Sequence, residues 1–222
     1  MMQRVGTIDR REVLRYLRVD GDVPADLAAD LDRCEKELLE TARPRTVWRL
    51  LDYLPDGSIS GTALKLEGRD ICAFLQGCDQ VILLGATLGM ETESLIRRAQ
   101  SRSMADAVIL DAVGSAAIET VCDDLCRDLE IRFAPRYLTD RFSPGYGDLP
   151  LERQRELGRV LDLTRRIGVS LTPGGVMVPQ KSVTAILGVS DTPKPRRVRG
   201  CDVCENRENC QYRKKGQACG KP

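Results

Sequence analysis

The chain contains no histidine in 222 residues. That single absence excludes a histidine-based catalytic triad, a histidine-ligated metal and an imidazole general base. Aromatic residues make up 4% of the chain, so a core of ordinary size has to be built mostly from Leu, Val, Ile and Ala. No apolar run approaches the eighteen or so residues that a membrane-spanning helix needs. The opening segment, Met1 to Asp9, lacks the apolar stretch of a secretory signal. The chain therefore reads as soluble and cytoplasmic, with no membrane partner. Apolar residues at 42% are sufficient for a real hydrophobic core.

Net charge is also nearly absent, 34 Lys and Arg against 33 Asp and Glu, but the balance is uneven along the chain. From Lys194 onward there are nine basic and three acidic residues, leaving 25 basic and 30 acidic in residues 1–193. An acidic body with a basic tail suits docking to an acidic partner. Nucleic acid is a poor match, because the tail has one aromatic residue, Tyr212, and no helical periodicity.

Hydrophobic patterning predicts a succession of short elements. Asp9 to Leu17 reads as a helix with Asp9 as N-cap and Glu12 three residues on. Pro24 to Ala42 reads as a surface amphipathic helix. Thr46 to Leu54 and Thr62 to Leu66 read as strands around the turn Pro55-Asp-Gly57. Gly68 to Cys78 reads as a short helix, and Gln80 to Leu84 as a buried strand.

Gly85-Ala-Thr-Leu-Gly89 lacks the Lys-Ser/Thr of a nucleotide loop and the G-x-G-x-x-G spacing, so it is expected to be a tight strand-to-helix turn. Ser103 to Leu129 is the longest helical pattern, with a stripe of Val108, Ile118, Val121, Leu125 and Leu129. Its stretch Gly114-Ser-Ala-Ala117 would let another element pack closely. Leu151 to Ile167 reads as one helix stopped by Gly168, and Val169 to Leu171 and Ser182 to Val189 as strands. Strands and helices interleave without a regular βαβ cadence. The expected class is α+β, an antiparallel or mixed sheet packed with helices, followed by a small Cys-rich C-terminal tail.

The segment richest in chemistry is Arg141-Phe-Ser-Pro-Gly-Tyr146, followed by Gly147-Asp148 and Leu149-Pro150. Pro144 stiffens the backbone, and Gly145 allows close approach to a ligand. Ser143 and nearby amides can hydrogen-bond, Arg141 can fork onto a carboxylate, and Tyr146 offers a stacking face with a polar tip. A Pro-Gly turn with an arginine on its shoulder would look the same in isolation.

Together with Met177-Val-Pro-Gln-Lys-Ser-Val-Thr-Ala185, this block resembles the activation domain of cobalamin-dependent methionine synthase. The looser patterns Ile8-Asp9 with Glu12 to Leu17, Val81 to Gly89, and Leu110 to Glu119 are similar to the same family. The resemblance spans about residues 5 to 190. It implies an antiparallel sheet with packed helices and a site for S-adenosylmethionine. Arg141 would hold the ligand carboxylate. Ser143, Gly145 and Tyr146 would line the nucleoside and methionyl groups, and Asp9 and Glu119 would lie near the amino group. On residues alone, Asp9 is as well explained as a helix cap and Glu119 as an ion-pair partner.

Leu187 stands near a position where the family carries a ligand-contacting tyrosine, and Lys181 where it carries a small residue. The length leaves no room for homocysteine, folate and cobalamin modules. The implied protein is therefore a free-standing subunit acting in trans. Its partner would be a methionine synthase lacking its own activation domain, which supplies the cobalamin. A flavodoxin- or ferredoxin-type protein would donate the electron. The implied role is reactivation by reductive methylation of Co(II)-cobalamin. The chain would position the methyl donor, with no residue acting as catalytic acid or base, so its standing as an enzyme is left open.

Four of the nine cysteines, Cys201, Cys204, Cys210 and Cys219, follow the spacing C-x2-C-x5-C-x8-C. In a cytosolic chain such thiolates suit zinc or an iron–sulfur cluster better than disulfides. The expected organisation is a ligand-binding domain over 1–190, a Pro-rich basic linker over 191–200 and a metal-binding tail over 201–222. A cluster in the tail would make the alternative function an electron relay, or reductive activator, for a corrinoid protein. Zinc would make the tail structural and the chain an interaction protein.

Overall fold

A computed structural model describes residues 4–19 and 21–194 of the chain. Four strands pair into a sheet of order β1-β2-β6-β3, formed by β1 (Arg45–Asp52), β2 (Gln80–Thr87), β3 (Tyr137–Leu138) and β6 (Ser182–Ser190). Every pairing is antiparallel. Val81, Ile82, Leu83, Leu84 and Ala86 of β2 are fully buried. That is why β2 reads as a continuous apolar run rather than an alternating one: both faces of the sheet are covered. A two-stranded ribbon, β4 (Ser170–Leu171) with β5 (Met177–Val178), lies beside it.

Seven helices surround the sheet among the described residues: α1 (Arg10–Leu17), α2 (Ala25–Thr41), α3 (Arg69–Phe74), α4 (Met90–Arg102), α5 (Met104–Phe133), α6 (Arg153–Leu161) and α7 (Leu163–Ile167). α5 joins two parts of the core. Its N-terminal half packs with α1, α2 and α4 through Ala107, Leu110, Val113, Ala117 and Val121. Its C-terminal half lays Leu125 and Leu129 on Ile82, Leu84, Ala185, Leu187 and Val189, one face of the sheet. The other face carries Val81, Leu83, Phe142 and Ile186 against α3, α6 and α7. The fold is α+β, as patterning predicts.

Some boundaries differ from that prediction, each for a physical reason. Val108 is half exposed, because the buried face of α5 rotates onto Ala107, Ile109 and Leu110 where it meets the other helices. Thr62 to Leu66 forms no strand. Gly57 and Gly61 take positive φ, and the segment turns back to bury Ile59, Leu64 and Leu66 with only isolated bridges.

Gly85-Ala-Thr87 continues β2 rather than turning, and the turn is confined to Leu88-Gly89. Gly85 is where α7 meets the sheet: a Cβ there would lie 2.6 Å from Leu163 Cδ2. The predicted single helix over 151–167 is broken at Asp162, which adopts the left-handed conformation at φ 51°. Side chains two apart on a straight helix point about 200° apart. The break allows Leu161 and Leu163 both to be buried.

Candidate functional site

Residues 137–142 run along the outer edge of β6. Tyr137 and Leu138 pair with Ser190 and Val189, Thr139 N–H donates to Gly188 O (3.0 Å), and Phe142 and Ile186 exchange both backbone bonds (2.9 and 2.8 Å). Strand alternation sends neighbouring side chains to opposite faces. Phe142 enters the core beside Phe74, with ring centroids 5.2 Å apart, and Arg141 turns toward α5.

The chain leaves the sheet at Ser143. Tyr146 N–H donates to Ser143 O (3.1 Å), with Pro144 at the second position and Gly145 at φ 89° at the third. This is a type II turn, whose third position favours glycine. Both ends of the loop are pinned. Arg141 is held by α5, and the Asp148 carboxylate accepts from the backbone N–H groups of Arg69 (2.6 Å) and Asp70 (3.1 Å) at the start of α3. Leu149 is buried. Tyr146, at the tip, is 60% exposed.

Arg141 Nη2 donates to Glu119 Oε2 and to Asp123 Oδ1, both at 2.8 Å. The arginine side chain is 15% exposed, while the two carboxylates are about half exposed. Glu119 is a residue that the family resemblance implies, whereas Asp123 is not. The signal was available, since Asp123 is four residues on and shares the same helix face. Two turns and one turn earlier on that face, Asp111 and Ser115 receive Lys181 Nζ at 2.8 and 2.9 Å. The Lys181 stem crosses Gly114, where a Cβ would sit 3.2 Å from Lys181 Cε. The small-residue stretch of α5 therefore accommodates a lysine side chain.

Asp9 caps α1, accepting from Arg11 N–H at 2.9 Å. Just before it the backbone passes over α5 so closely that a Cβ on Gly6 would lie 2.7 Å from Asp124 Oδ2. Tyr16 of α1 has its hydroxyl pKa raised, first by burial and next by the negative charge of Glu119. Glu119 thus acts on Tyr16 of α1 and is ion-paired with Arg141. Ser143, Gly145 and Tyr146 form the turn that begins two residues after Arg141. Leu187 is buried between the sheet and α5, against Leu125 and Leu129, and contributes packing at the position expected to reach a ligand.

Cys201, Cys204, Cys210 and Cys219 lie outside the described residues. Among the described residues, no group of three or more Cys, Asp or Glu could hold a metal ion, and no helix is long and apolar enough to cross a membrane. A shallow cavity of about 250 Å³ at the α6–α7 elbow, lined in part by Arg155, Arg159, Asp162 and Leu171, shares no residue with the set above.

Arg141, mostly buried, and the half-exposed carboxylates of Glu119 and Asp123 set one cation against two anions at the foot of a loop carrying an exposed aromatic ring. Such an arrangement offers charged groups to the two ends of an amino-acid zwitterion and a ring to a flat group attached to it. Each end of the zwitterion can add a charge-assisted hydrogen bond, and the ring can be covered by the flat group. No family model and no curated protein matches the chain. Among solved structures, it is similar to the crystal structure of the MetH reactivation domain bound to AdoHcy. The TM-score is 0.62 and the sequence identity 17%, with 96% of this chain and 82% of that chain covered. At that identity the likeness is one of fold: the chain has the architecture of the MetH reactivation domain.

Proposed function

We propose that this chain binds S-adenosylmethionine on the face of α5 between α1 and the Ser143–Tyr146 turn. In this reading it serves in trans as the reactivation subunit of a cobalamin-dependent methionine synthase. One observation carries the reading. Arg141 and Glu119, 22 residues apart, meet at 2.8 Å beside a Pro-Gly turn tipped by an exposed tyrosine, on a fold shared with a domain solved with AdoHcy.

The ligand carboxylate pairs with the Arg141 guanidinium, and its ammonium with Glu119. Asp123 keeps the guanidinium oriented, so little ordering is needed on binding. Gly145 lets the backbone approach, Ser143 offers a hydroxyl, and Tyr146 covers the nucleoside. Asp9, at the mouth of α1, adds negative charge near the ammonium.

With the partner's cobalamin in the Co(II) state, one electron and transfer of the sulfonium methyl would together regenerate its methylated form, the broken C–S bond leaving S-adenosylhomocysteine. This chain contributes binding and aim: it holds the donor so that its methyl faces outward toward the partner. No proton has to move, which fits a protein without histidine.

Arg141→Ala should weaken S-adenosylmethionine binding by about 1.5–3 kcal/mol, roughly 10- to 150-fold, the size of a lost hydrogen bond between charged groups. Titration calorimetry reads this directly. Unchanged affinity in that variant removes the site. The activity itself is tested anaerobically: the chain, a Co(II) methionine synthase without its own activation domain, a flavodoxin- or ferredoxin-type donor and S-adenosylmethionine should together yield methylcobalamin. No methylcobalamin with every component present would sink the reactivation role.

A second reading rests on the spacing of Cys201, Cys204, Cys210 and Cys219: a metal-binding tail whose iron–sulfur form would relay the electron. Anaerobic preparation distinguishes the forms. A brown protein absorbing near ~400 nm carries a cluster, and a colourless one with stoichiometric zinc carries a structural ion. Metal content unchanged in Cys204→Ser would remove this reading.

A further inference from the structure

We infer that Asp111 and Lys181 set the charge of this face of α5, so that it holds a net-cationic sulfonium ligand in preference to the neutral thioether left after methyl transfer. The inference rests on the ligand proposed above and concerns residues that do not anchor it. Along one face of α5, at four-residue intervals, stand Asp111, Ser115, Glu119 and Asp123. Two cations from elsewhere in the chain lie on this stripe, Lys181 on Asp111 and Ser115, and Arg141 on Glu119 and Asp123.

Three carboxylates thus face two cations. On the neighbouring α1, Glu12 and Arg15 pair at 2.7 Å. The α5 stripe itself therefore carries one more carboxylate than cation. S-adenosylmethionine has one negative and two positive groups, for a net charge of +1, whereas S-adenosylhomocysteine is neutral overall. With the amino-acid head on Arg141 and Glu119, the ligand sulfur is two methylenes from the head's α-carbon, within the field of these carboxylates. The excess negative charge therefore stabilises the donor and leaves the product without a counterpart, which favours exchange after each transfer.

Asp111 and Lys181 are suited to tune this preference. The Asp111 carboxylate is 56% exposed, and Lys181 is 12% exposed with its stem fixed on Gly114. Asp111 lies about 12 Å from Glu119 along the helix axis, close enough for an electrostatic effect and too far to bind the same amino-acid head.

Calorimetry on the full chain with S-adenosylmethionine, S-adenosylhomocysteine and sinefungin, which carries an ammonium in place of the sulfonium, tests the inference. The two cationic ligands should bind more tightly than the thioether. Asp111→Asn should reduce that ratio about 2- to 4-fold, the effect of one charge at ~10 Å on a wet surface, and Lys181→Met should raise it by a similar factor. Raising the salt from 0.05 to 1 M should shrink the ratio in the wild-type chain, where the screening length falls to about 3 Å.

An unchanged ratio in both variants, or parallel loss of affinity for all three ligands, overturns the electrostatic role and leaves the binding site standing. Failure of the wild-type chain to bind any of the three overturns both.

Discussion

Cys126, one turn beyond Cys122 on α5, shows how a single side chain reports its surroundings. Burial pushes its thiol pKa up to about 12, and the carboxylates of Asp123, Glu130, Asp140 and Glu119 push in the same direction. Buried Cys34 is likewise raised to about 11. In the unfolded chain these thiols ionise near 9, so above that pH the unfolded state holds fewer protons than the folded one. Their contribution to stability is present below pH 9 and is lost as pH rises from 9 toward 12. The thermal midpoint should therefore fall over that range, and fall less steeply in Cys126→Ala. An identical slope in the variant would show that the thiol does not titrate as described. Arg141 was legible from its motif, and Asp123 was legible in principle from helical spacing. Leu187 was not, because only the packed sheet reveals that its side chain lies under α5.

The loop over 143–148 depends on two devices. Gly145 at φ 89° occupies the third position of the turn, where a residue with a Cβ is strained by about 1–2 kcal/mol. Asp148 caps α3 from a segment almost eighty residues away in sequence. Gly145→Ala should cost about 1 kcal/mol of stability and weaken S-adenosylmethionine binding. Asp148→Ala should lower stability by about 1–2 kcal/mol through loss of the cap. Thermal unfolding and calorimetry together check both, and an Asp148→Ala chain as stable as wild type would mean the cap contributes nothing. The Pro-Gly dipeptide made the turn readable in advance. The break at Asp162 could not be read this way, because the apolar pattern of 151–167 fits one helix and only burial on both sides of Asp162 demands two.

For the whole molecule, α5 is the member shared by the helical cluster and the sheet face it covers, and its two faces are not equivalent. Leu129→Ala removes a buried side chain between helix and sheet and should cost about 2–5 kcal/mol. Val108→Ala, at a half-exposed position on the same helix, should change stability by less than about 0.5 kcal/mol. Denaturant titration separates them, and equal effects would contradict the packing described. Local rules of periodicity, capping and turn chemistry act within a few residues, so the chain by itself determined the α+β class, most of the elements, the Pro-Gly turn and the absence of imidazole chemistry. Which side chains meet across 22 or 66 residues, Arg141 with Glu119 and Lys181 with Ser115, was decided only when the sheet closed against α5. Those contacts depend on strand register and helix rotation, which no local pattern carries.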